Sequence, residues 1–416
     1  MDQLILRPSG PLSGEVPISG AKNSVLKLLA ATALADGTYA IHNVPRIADV
    51  EWMSELLISM GADVAWSGEQ SLTVTWDRDC IPEAPYEVVE RMRASIVVLG
   101  PLLTRFGRAK VALPGGDDFG PRPIDMHLRA LEKMGASFET VHGYVEARCE
   151  RLRGSRITLE FPSVGATENV LMAAVLAEGT TVIENAAREP EIADLASFLN
   201  RMGAKVLGAG SPTIEIQGVD ALSPVDHRVI PDRIEAATYL AAVGAAGGEV
   251  VLVGARADHM EMLIHKLGQM GMRISPDSAG LWAMASGRLK AVDVATLPYP
   301  GLATDYKPFL VTLLALGEGT GIVTENLFTG RFRYIDELIR MGADIRIEGH
   351  HAVVRGKEML SGAPVKAHDI RAGAALAVAA LRAEGETVIS DSSHIDRGYE
   401  RFFEKMRGIG VKVDRK

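Results

Sequence analysis

Apolar residues recur along the chain in long runs that end at glycine. Runs such as "PFLVTLLALGEG" (308–319) and "AGAALAVAALRAEG" (372–385) are apolar on almost every side of a helix, which is typical of helices buried inside a domain. The pattern predicts six buried helices, one in each of these two runs and one in each of four others. The other four are "SVLKLLAATALADG", "RASIVVLGPLLTRFG", "ATENVLMAAVLAEG" and "IEAATYLAAVGAAGG".

A second helical pattern follows each buried run, and it ends in Met-Gly or Ile-Gly before a strand-like segment. Glycine suits the left-handed position beyond the last helical turn, where the chain turns into a strand. Alternating segments such as "TVIENA" and "DIRIEG" predict the strands. The sequence therefore predicts an α/β protein of six repeats, each strand-helix-strand-helix-strand-strand. The six glycines are Gly61, Gly135, Gly203, Gly271, Gly342 and Gly410.

Length and composition place these repeats in a globular protein. A chain of 416 residues predicts two domains, which three repeats each would account for. The formal charge of −9 disfavours a nucleic-acid partner, because binding to a phosphate backbone needs a basic surface.

Cys80 and Cys149 lie far apart without a metal-ligand motif, so we expect no metal site and a reducing cytoplasm. The start of the chain lacks the apolar region of a signal peptide, and the run 236–255 is interrupted by Gly and Glu, so we expect no membrane span.

Charged residues recur just before the predicted helices. Helix N-termini favour anions, so a cation there needs an anion or a carboxylate opposite it. For any single position a surface site or a structural ion pair is the simpler interpretation, and for Asp305 or Asp369 it is a helix N-cap. Recurrence in several repeats of an acidic protein favours a shared anion-binding pocket instead. The positions include Lys22, Asn23, Arg93, Arg122, Glu189, Glu191, Asp232, Arg233, Lys307, Arg331, Arg333, Arg371, His394 and Arg397.

A series of motifs spread over the chain resembles the UDP-N-acetylglucosamine 1-carboxyvinyltransferase (MurA) family of enolpyruvyl transferases. The resemblance runs in order from about residue 5 to residue 414, almost without gaps. The motifs are "ISGAKNS", "MRASI", "LPGGDDFGPRPIDMHL", "SVGATEN", "ENAAREPEI", "IPDRIEAATYL", "PYPGLATD", "TENLFTGRF", "DIRAGAAL" and "HIDRGYERF".

The resemblance implies the enolpyruvyl transferase fold, an inside-out α/β barrel of two similar domains. Each domain would contain three βαβαββ units, six in all, and a double crossover would join the domains. One domain would be 22–229, with a catalytic lid loop at about 111–123. Residues 1–21 plus 230–416 would form the other, and the active site would lie in the cleft between them.

The same resemblance implies the reaction. Phosphoenolpyruvate would donate its enolpyruvyl group to the 3-hydroxyl of UDP-N-acetylglucosamine by addition and elimination, with release of phosphate. This is the first committed step of peptidoglycan synthesis, and the family needs no metal or organic cofactor. The chemistry needs a proton delivered to the methylene carbon, a proton removed from the hydroxyl, and cations that hold two anionic substrates.

Residue roles follow from the resemblance. The catalytic set would be Asp117, Asp305, Lys22 and Arg397, with Asp305 as the base that takes the hydroxyl proton. Phosphoenolpyruvate would be held by Lys22, Asn23, Arg93, Arg122, Arg331, Arg371 and Arg397. The UDP-sugar would be held by Asn23, Arg93, Arg122, Pro123, Ile124, Asp125, Met126, Ser163, Val164, Gly165, Asp305 and Leu327.

The chain departs from the family in the lid loop. Most members carry a cysteine as the general acid where this chain has Asp117. A carboxyl group has a reference pKa of about 3.9 against about 8.5 for a thiol, so Asp117 would need a raised pKa. The neighbouring charge of Asp118 could supply part of that shift, and Asp118 is also the alternative acid. Fosfomycin, which alkylates the loop cysteine, is expected to find no nucleophile here.

Three alternatives remain open from the sequence. The sister family, 5-enolpyruvylshikimate-3-phosphate synthase, shares the fold and the donor but differs from "SGAKNS" and "PYPGLATD". A paralogue could apply the same chemistry to another uridine nucleotide. A catalytically silent ligand-binding protein would not need Lys22, Asp305 and Arg397 together.

Overall fold

The structure is a computed structural model that describes residues 2–77, 80–113, 123–328 and 330–416. It contains two compact units, of which one holds the described residues between 20 and 230. The other holds residues 2–19 and the described residues from 231 to 416. Most of the loop expected at 111–123 lies outside the described residues. No helix among the described residues is long and apolar enough to cross a membrane.

Each unit contains three four-stranded sheets of the same order within the described residues. In every sheet an outer strand pairs in parallel with a central strand. The central strand also pairs with an antiparallel strand, which in turn pairs with an antiparallel edge strand. In the 20–230 unit the sheets are Asp226–Arg228, Gly37–His42, Ser71–Trp76 and Asp63–Trp66; Glu83–Ala84, Arg108–Ala112, Tyr144–Arg148 and Ser137–Val141; and Arg156–Thr158, Thr180–Glu184, Thr213–Gln217 and Lys205–Leu207.

The other unit repeats this arrangement and adds a two-stranded sheet, Leu360–Ser361 with Ala383–Glu384. Its four-stranded sheets are Leu12–Pro17, Gly248–Val253, Gly280–Ala285 and Arg273–Asp277; Val294–Ala295, Thr320–Thr324, His351–Arg355 and Asp344–Glu348; and Pro364–Lys366, Thr387–Ser390, Gln3–Leu6 and Val413–Arg415.

The first helix of each repeat packs in the interior of its unit, as the apolar runs predict. Every residue of Lys307–Leu316 and of Ile370–Ala380 is buried. The strands alternate instead, and Leu72, Val74 and Trp76 turn inward while their neighbours face outward. Helices therefore lie inside and sheets outside, which confirms the predicted fold. The six first helices are Lys22–Ala31, Leu99–Phe106, Val164–Ala174, Arg233–Ala246, Lys307–Leu316 and Ile370–Ala380.

The second helices end where the glycines predict. All six glycines have a positive φ, between 86° at Gly342 and 112° at Gly271, a conformation that a side chain disfavours. The second helices are Ala48–Ser59, Asp125–Lys133, Pro190–Arg201, Glu261–Met270, Tyr334–Arg340 and Phe402–Gly408. Short helices occur at Tyr86–Val89 and Ser393–Asp396, and 3-10 turns at Thr32–Leu34, Arg93–Val98, Ala257–His259 and Thr304–Tyr306.

The repeats are not all contiguous in the sequence. The strand Asp226–Arg228 pairs with Gly37–His42, and Leu12–Pro17 pairs with Gly248–Val253. The first strand, Gln3–Leu6, completes the last sheet between Thr387–Ser390 and Val413–Arg415. Three sheets are therefore completed by a strand from a distant part of the chain.

The run at 93–107 also differs from the expected single helix. It forms a 3-10 turn, Arg93–Val98, followed by the α-helix Leu99–Phe106. Pro101 explains the change, because proline fits the first turn of an α-helix but not its interior.

Candidate functional site

In the unit formed by residues 2–19 and 231–416, Asp305 lies against two buried arginines. The Arg331 Nη2 donates to Asp305 Oδ1 at 3.0 Å, and the Arg371 Nε lies 3.6 Å from the same oxygen. The side chains of Arg331 and Arg371 are 6% and 4% exposed, whereas that of Asp305 is 28% exposed. The carboxylate is therefore the most accessible of the three groups.

The arginines fix the charge of Asp305. Burial by itself would raise the pKa of this carboxyl, but the charges of Arg331 and Arg371 outweigh burial and hold the pKa well below its usual range. Asp305 is therefore an anion at neutral pH. Its charge is already partly neutralised by the arginines.

A third arginine and a tyrosine complete this group. Arg233, the first residue of its helix, donates from Nη1 to the Tyr306 hydroxyl at 3.0 Å. The Arg371 guanidinium carbon lies 5.2 Å from the centre of the Tyr399 ring, a favourable cation–π geometry. Among the described residues, Arg371 Nη1 has no hydrogen-bond partner. A buried guanidinium with an unused donor suits an anionic ligand.

Behind Asp305 a buried carboxylate, Glu325, accepts hydrogen bonds at both oxygens. Oε2 accepts from the Thr304 hydroxyl and from the Lys307 ammonium, both at 2.8 Å. Oε1 accepts from the Thr296 hydroxyl at 2.8 Å and from the backbone N–H groups of residues 327 and 328 at 2.8 and 3.1 Å. Burial opposes the charge, but Lys307 and these donors lower the pKa of Glu325 overall. Lys307 Nζ also donates to the Arg331 carbonyl oxygen at 2.5 Å.

In the 20–230 unit, Lys22 is the first residue of a helix and Asn23 the second. The Lys22 ammonium lies 2.7 Å from the buried carboxylate of Asp49. One turn further along the helix, the Lys27 Nζ donates to the Asn23 carbonyl oxygen at 2.7 Å. The same ammonium lies 3.6 Å from Glu168. Lys22 is therefore paired with a buried carboxylate, and the Asn23 backbone is bound by a lysine that lies near a second one.

The two segments expected to hold the UDP-sugar in this unit are linked by a buried histidine. His127 contacts Asn169 through a 2.8 Å hydrogen bond at Nδ1, and a Cβ added at Gly165 would lie 3.0 Å from the His127 ring. Burial lowers the pKa of His127 to about 4, so the ring is neutral. Arg93 donates to the Pro123 carbonyl oxygen at 3.4 Å. Ser163 caps the helix Val164–Ala174 by accepting from the Ala166 N–H.

The remaining predicted residues have these positions. Arg397 is half-buried at the end of a short helix, beside Gly398, where a Cβ would lie 3.6 Å from Arg371 Nη1. Leu327 is held through its backbone by Glu325. Asp117, Asp118 and Arg122 lie outside the described residues. Ile124, Asp125 and Met126 are partly exposed at the start of the helix Asp125–Lys133, and Val164 is partly exposed at the start of its own helix.

Sequence reasoning missed Asp49, Glu168 and Glu325. Glu168 and Glu325 occur in motifs quoted above, "SVGATEN" and "TENLFTGRF". An acidic residue within a buried apolar run, as in "ATENVLMAAVLAEG", is the available signal, because such a charge needs a partner. For Asp49 the sequence offers no comparable signal, since an acidic residue in the first turn of a helix is common.

Comparison with known proteins decides the family. Residues 6–406 match the family model described as EPSP synthase (3-phosphoshikimate 1-carboxyvinyltransferase). The chain belongs to the EPSP synthase family of enolpyruvyl transferases. Within this family, the UDP-N-acetylglucosamine 1-carboxyvinyltransferase of Mycobacterium bovis is 50% identical over 414 residues, covering 100% of this chain and 99% of the relative. UDP-N-acetylglucosamine 1-carboxyvinyltransferase 2 of Carboxydothermus hydrogenoformans is also 50% identical, over 417 residues, with the same coverage.

Solved structures of enolpyruvyl transferases have the same fold. The enolpyruvyl transferase NikO from Streptomyces tendae superimposes with a TM-score of 0.90 at 25% identity, covering 100% of this chain and 99% of NikO. EPSP synthase from Acinetobacter baumannii gives a TM-score of 0.79 at 20% identity, with 100% of both chains covered. At that identity the second likeness supports the fold alone.

Proposed function

We propose that this enolpyruvyl transferase is a UDP-N-acetylglucosamine 1-carboxyvinyltransferase of peptidoglycan synthesis. It would transfer the enolpyruvyl group of phosphoenolpyruvate to the sugar 3-hydroxyl in the cytoplasm and release phosphate. The observation that carries the proposal is full-length identity of about half to enzymes of that name. The partly exposed Asp305 carboxylate, held by Arg331 and Arg371, supports the proposal because it could accept the proton of the sugar hydroxyl.

Asp305 is proposed as the base. Its pairing with two arginines keeps it ionised but also makes it a weak proton acceptor. A phosphoenolpyruvate anion bound to Arg331 and Arg371 would neutralise part of their charge and so raise the basicity of Asp305. The base would then gain strength only when the donor substrate is present. Lys22, Asn23, Arg93, Arg122 and Arg397 are proposed to bind the same two substrates.

Asp117 is proposed as the acid that protonates the methylene carbon, in place of the cysteine of most relatives. Asp118 is the alternative acid. A carboxyl group at this position is not alkylated as a thiol would be, so we propose that the enzyme resists fosfomycin. Mass spectrometry that finds a fosfomycin adduct on residues 111–123 would contradict this.

A phosphate-release assay with phosphoenolpyruvate and UDP-N-acetylglucosamine tests the function. We expect the wild type to release phosphate. D305N and D117N should each lose about 100-fold or more in kcat, since general acid–base groups contribute about 10²–10⁴-fold to the rate. The exposed control E249Q should lose no activity. Full turnover in D117N would move the acid to Asp118. No phosphate release by the wild type would refute the proposed reaction.

A paralogue that applies the same chemistry to another uridine nucleotide is the second candidate, since the fold does not select the acceptor and is shared with the enolpyruvyl transferase NikO at only 25% identity. Competing UDP-N-acetylglucosamine with other uridine nucleotides in the same assay separates the two. Faster turnover with another uridine nucleotide would favour the paralogue.

A further inference from the structure

In the unit formed by residues 2–19 and 231–416, two predicted substrate-binding segments are hydrogen-bonded to the same buried carboxylate, Glu325. The first segment, residues 304–307, contains Asp305, and the second, residues 325–331, contains Leu327 and Arg331. One oxygen of Glu325 holds the first segment through Thr304 and Lys307. The other holds the second segment through backbone N–H groups. Glu325 and Lys307 are both fully buried at the side chain, so neither can contact substrate directly.

Two contacts connect this carboxylate to the Arg331–Asp305 pair. The Thr304 hydroxyl donates to Glu325 and accepts from Arg331 Nη1 at 3.3 Å. The Lys307 ammonium, held by Glu325, donates to the Arg331 carbonyl oxygen at 2.5 Å. Arg331 is therefore held at its side chain and at its backbone by groups that Glu325 orients.

We propose that Glu325 is a positioning residue that, through Thr304 and Lys307, fixes the Arg331 guanidinium on the Asp305 carboxylate. The inference rests on the proposed role of Asp305 as the base. If Glu325 is replaced by glutamine, Lys307 loses its counter-ion and one of the two acceptor oxygens becomes an NH2 donor, so the groups that hold Arg331 at 3.0 Å from Asp305 are no longer fixed. The Asp305 carboxyl then becomes easier to protonate.

The direction of the pH effect follows from the charged groups around Asp305. Arg331, Arg371 and Arg233 lower the pKa of Asp305, and burial opposes them. Weakening the Arg331 contact leaves burial less opposed, so the pKa of Asp305 rises toward its ordinary value. A base that must be ionised is then lost earlier as the pH falls. Other charged groups that face this network are Lys307, Asp369 and Glu325 itself.

Two threonines give a matched test. Both Thr304 and Thr296 donate to Glu325 at 2.8 Å and both are buried, but only Thr304 also contacts Arg331. T304V and T296V therefore remove the same kind of bond to Glu325. Only T304V breaks the link to Arg331, and E325Q disturbs both branches.

The experiment titrates the carboxyl carbons of aspartate by ¹³C NMR in the full-length protein, with D305N to assign the Asp305 signal. We expect the Asp305 midpoint to rise by up to about one pH unit in T304V and E325Q, because the Arg331 guanidinium is no longer fixed on the carboxylate, and to stay near wild type in T296V. Equal midpoints in T304V and T296V would overturn the inference, even if E325Q does not fold.

Phosphate release gives the second measurement. The acid limb of kcat, which reports the substrate complex in which the bound anion raises the pKa of Asp305, should lie about one pH unit higher in T304V than in the wild type. T296V should not shift it. If the wild type releases no phosphate, only the proposed reaction is refuted. The NMR titration needs no substrate, so it still tests the role of Glu325 in that case. If the wild type is active but the activities of T304V and T296V fall at the same pH on the acid side, only the role of Glu325 is refuted.

Discussion

Two buried lysine–glutamate pairs, Lys307–Glu325 in one unit and Lys27–Glu168 in the other, differ in how the carboxylate is satisfied. Glu325 accepts five hydrogen bonds, including one from Lys307 at 2.8 Å. Glu168 lies 3.6 Å from Lys27, and neither of its oxygens accepts a hydrogen bond from the described residues. The side chains of Glu325 and Glu168 are equally buried, at 0% and 1% exposed.

The pKa values of the two carboxyl groups shift in opposite directions although both side chains are buried. Burial and the charges of Glu191 and Glu189 raise the pKa of Glu168 to about 8, and Lys27 only partly opposes them. The pKa of Glu325 is lowered instead, although burial acts on it in the same direction. A nearby cation therefore does not by itself keep a buried carboxylate ionised. Several well-placed donors are needed.

The largest expected effect of this difference is on stability. E325Q removes the charge that five donors share and leaves Lys307 buried without a counter-ion, so we expect a loss of about 3–5 kcal/mol in the free energy of unfolding. Urea unfolding at pH 7 measures it. E168Q under the same conditions is the matched control and should not destabilise. Equal losses in the two variants would contradict the comparison.

The next effect is a pH dependence in E168Q. The pKa of Glu168 is about 8 in the folded protein and ordinarily 4.5. Between these values the folded state keeps a proton that the unfolded state releases, so wild-type stability falls as the pH rises through this window. Glutamine does not titrate. We therefore expect E168Q to be within about 1 kcal/mol of wild type at pH 5 and more stable by about 4 kcal/mol or more at pH 9.

Urea unfolding of E168Q and the wild type at pH 5, 7 and 9 checks this expectation. Other titrating groups, including Glu235, cancel because both proteins contain them. A difference that stays constant across the pH range would show that Glu168 is ionised in the folded protein.

Much of the fold could be predicted from the sequence because two local signals repeat. The apolar runs mark interior helices, and the Met-Gly steps mark positive-φ positions such as Gly61 and Gly271. The closure of three sheets could not be predicted in the same way. A strand such as Asp226–Arg228 is three residues long, and its partner Gly37–His42 is far away in the sequence. Such pairing depends on the packed unit rather than on any local pattern.

The candidate site divides in a similar way. The positions of Lys22, Arg233, Lys307 and Arg371 at helix starts follow from local pattern. Local pattern does not show which carboxylate each cation faces, because partners such as Glu325 come from other elements of the fold. The charge of each carboxylate depends on its burial and on the donors and charges around it, which only the packed structure supplies.

The smallest effect concerns the helix caps of the third repeats, one in each unit. Asp369 caps its helix by accepting from two backbone N–H groups, at 2.8 and 2.9 Å, which confirms the predicted N-cap. Ser163 accepts one bond at 3.3 Å at the equivalent position, on the helix that carries Glu168. We expect D369A to cost about 1–2 kcal/mol and S163A about 0.5 kcal/mol, because a charged cap with two short bonds stabilises a helix more than a single long one. Urea unfolding at pH 7 measures both losses, and a larger loss in S163A would mean that the less satisfied helix depends more on its cap.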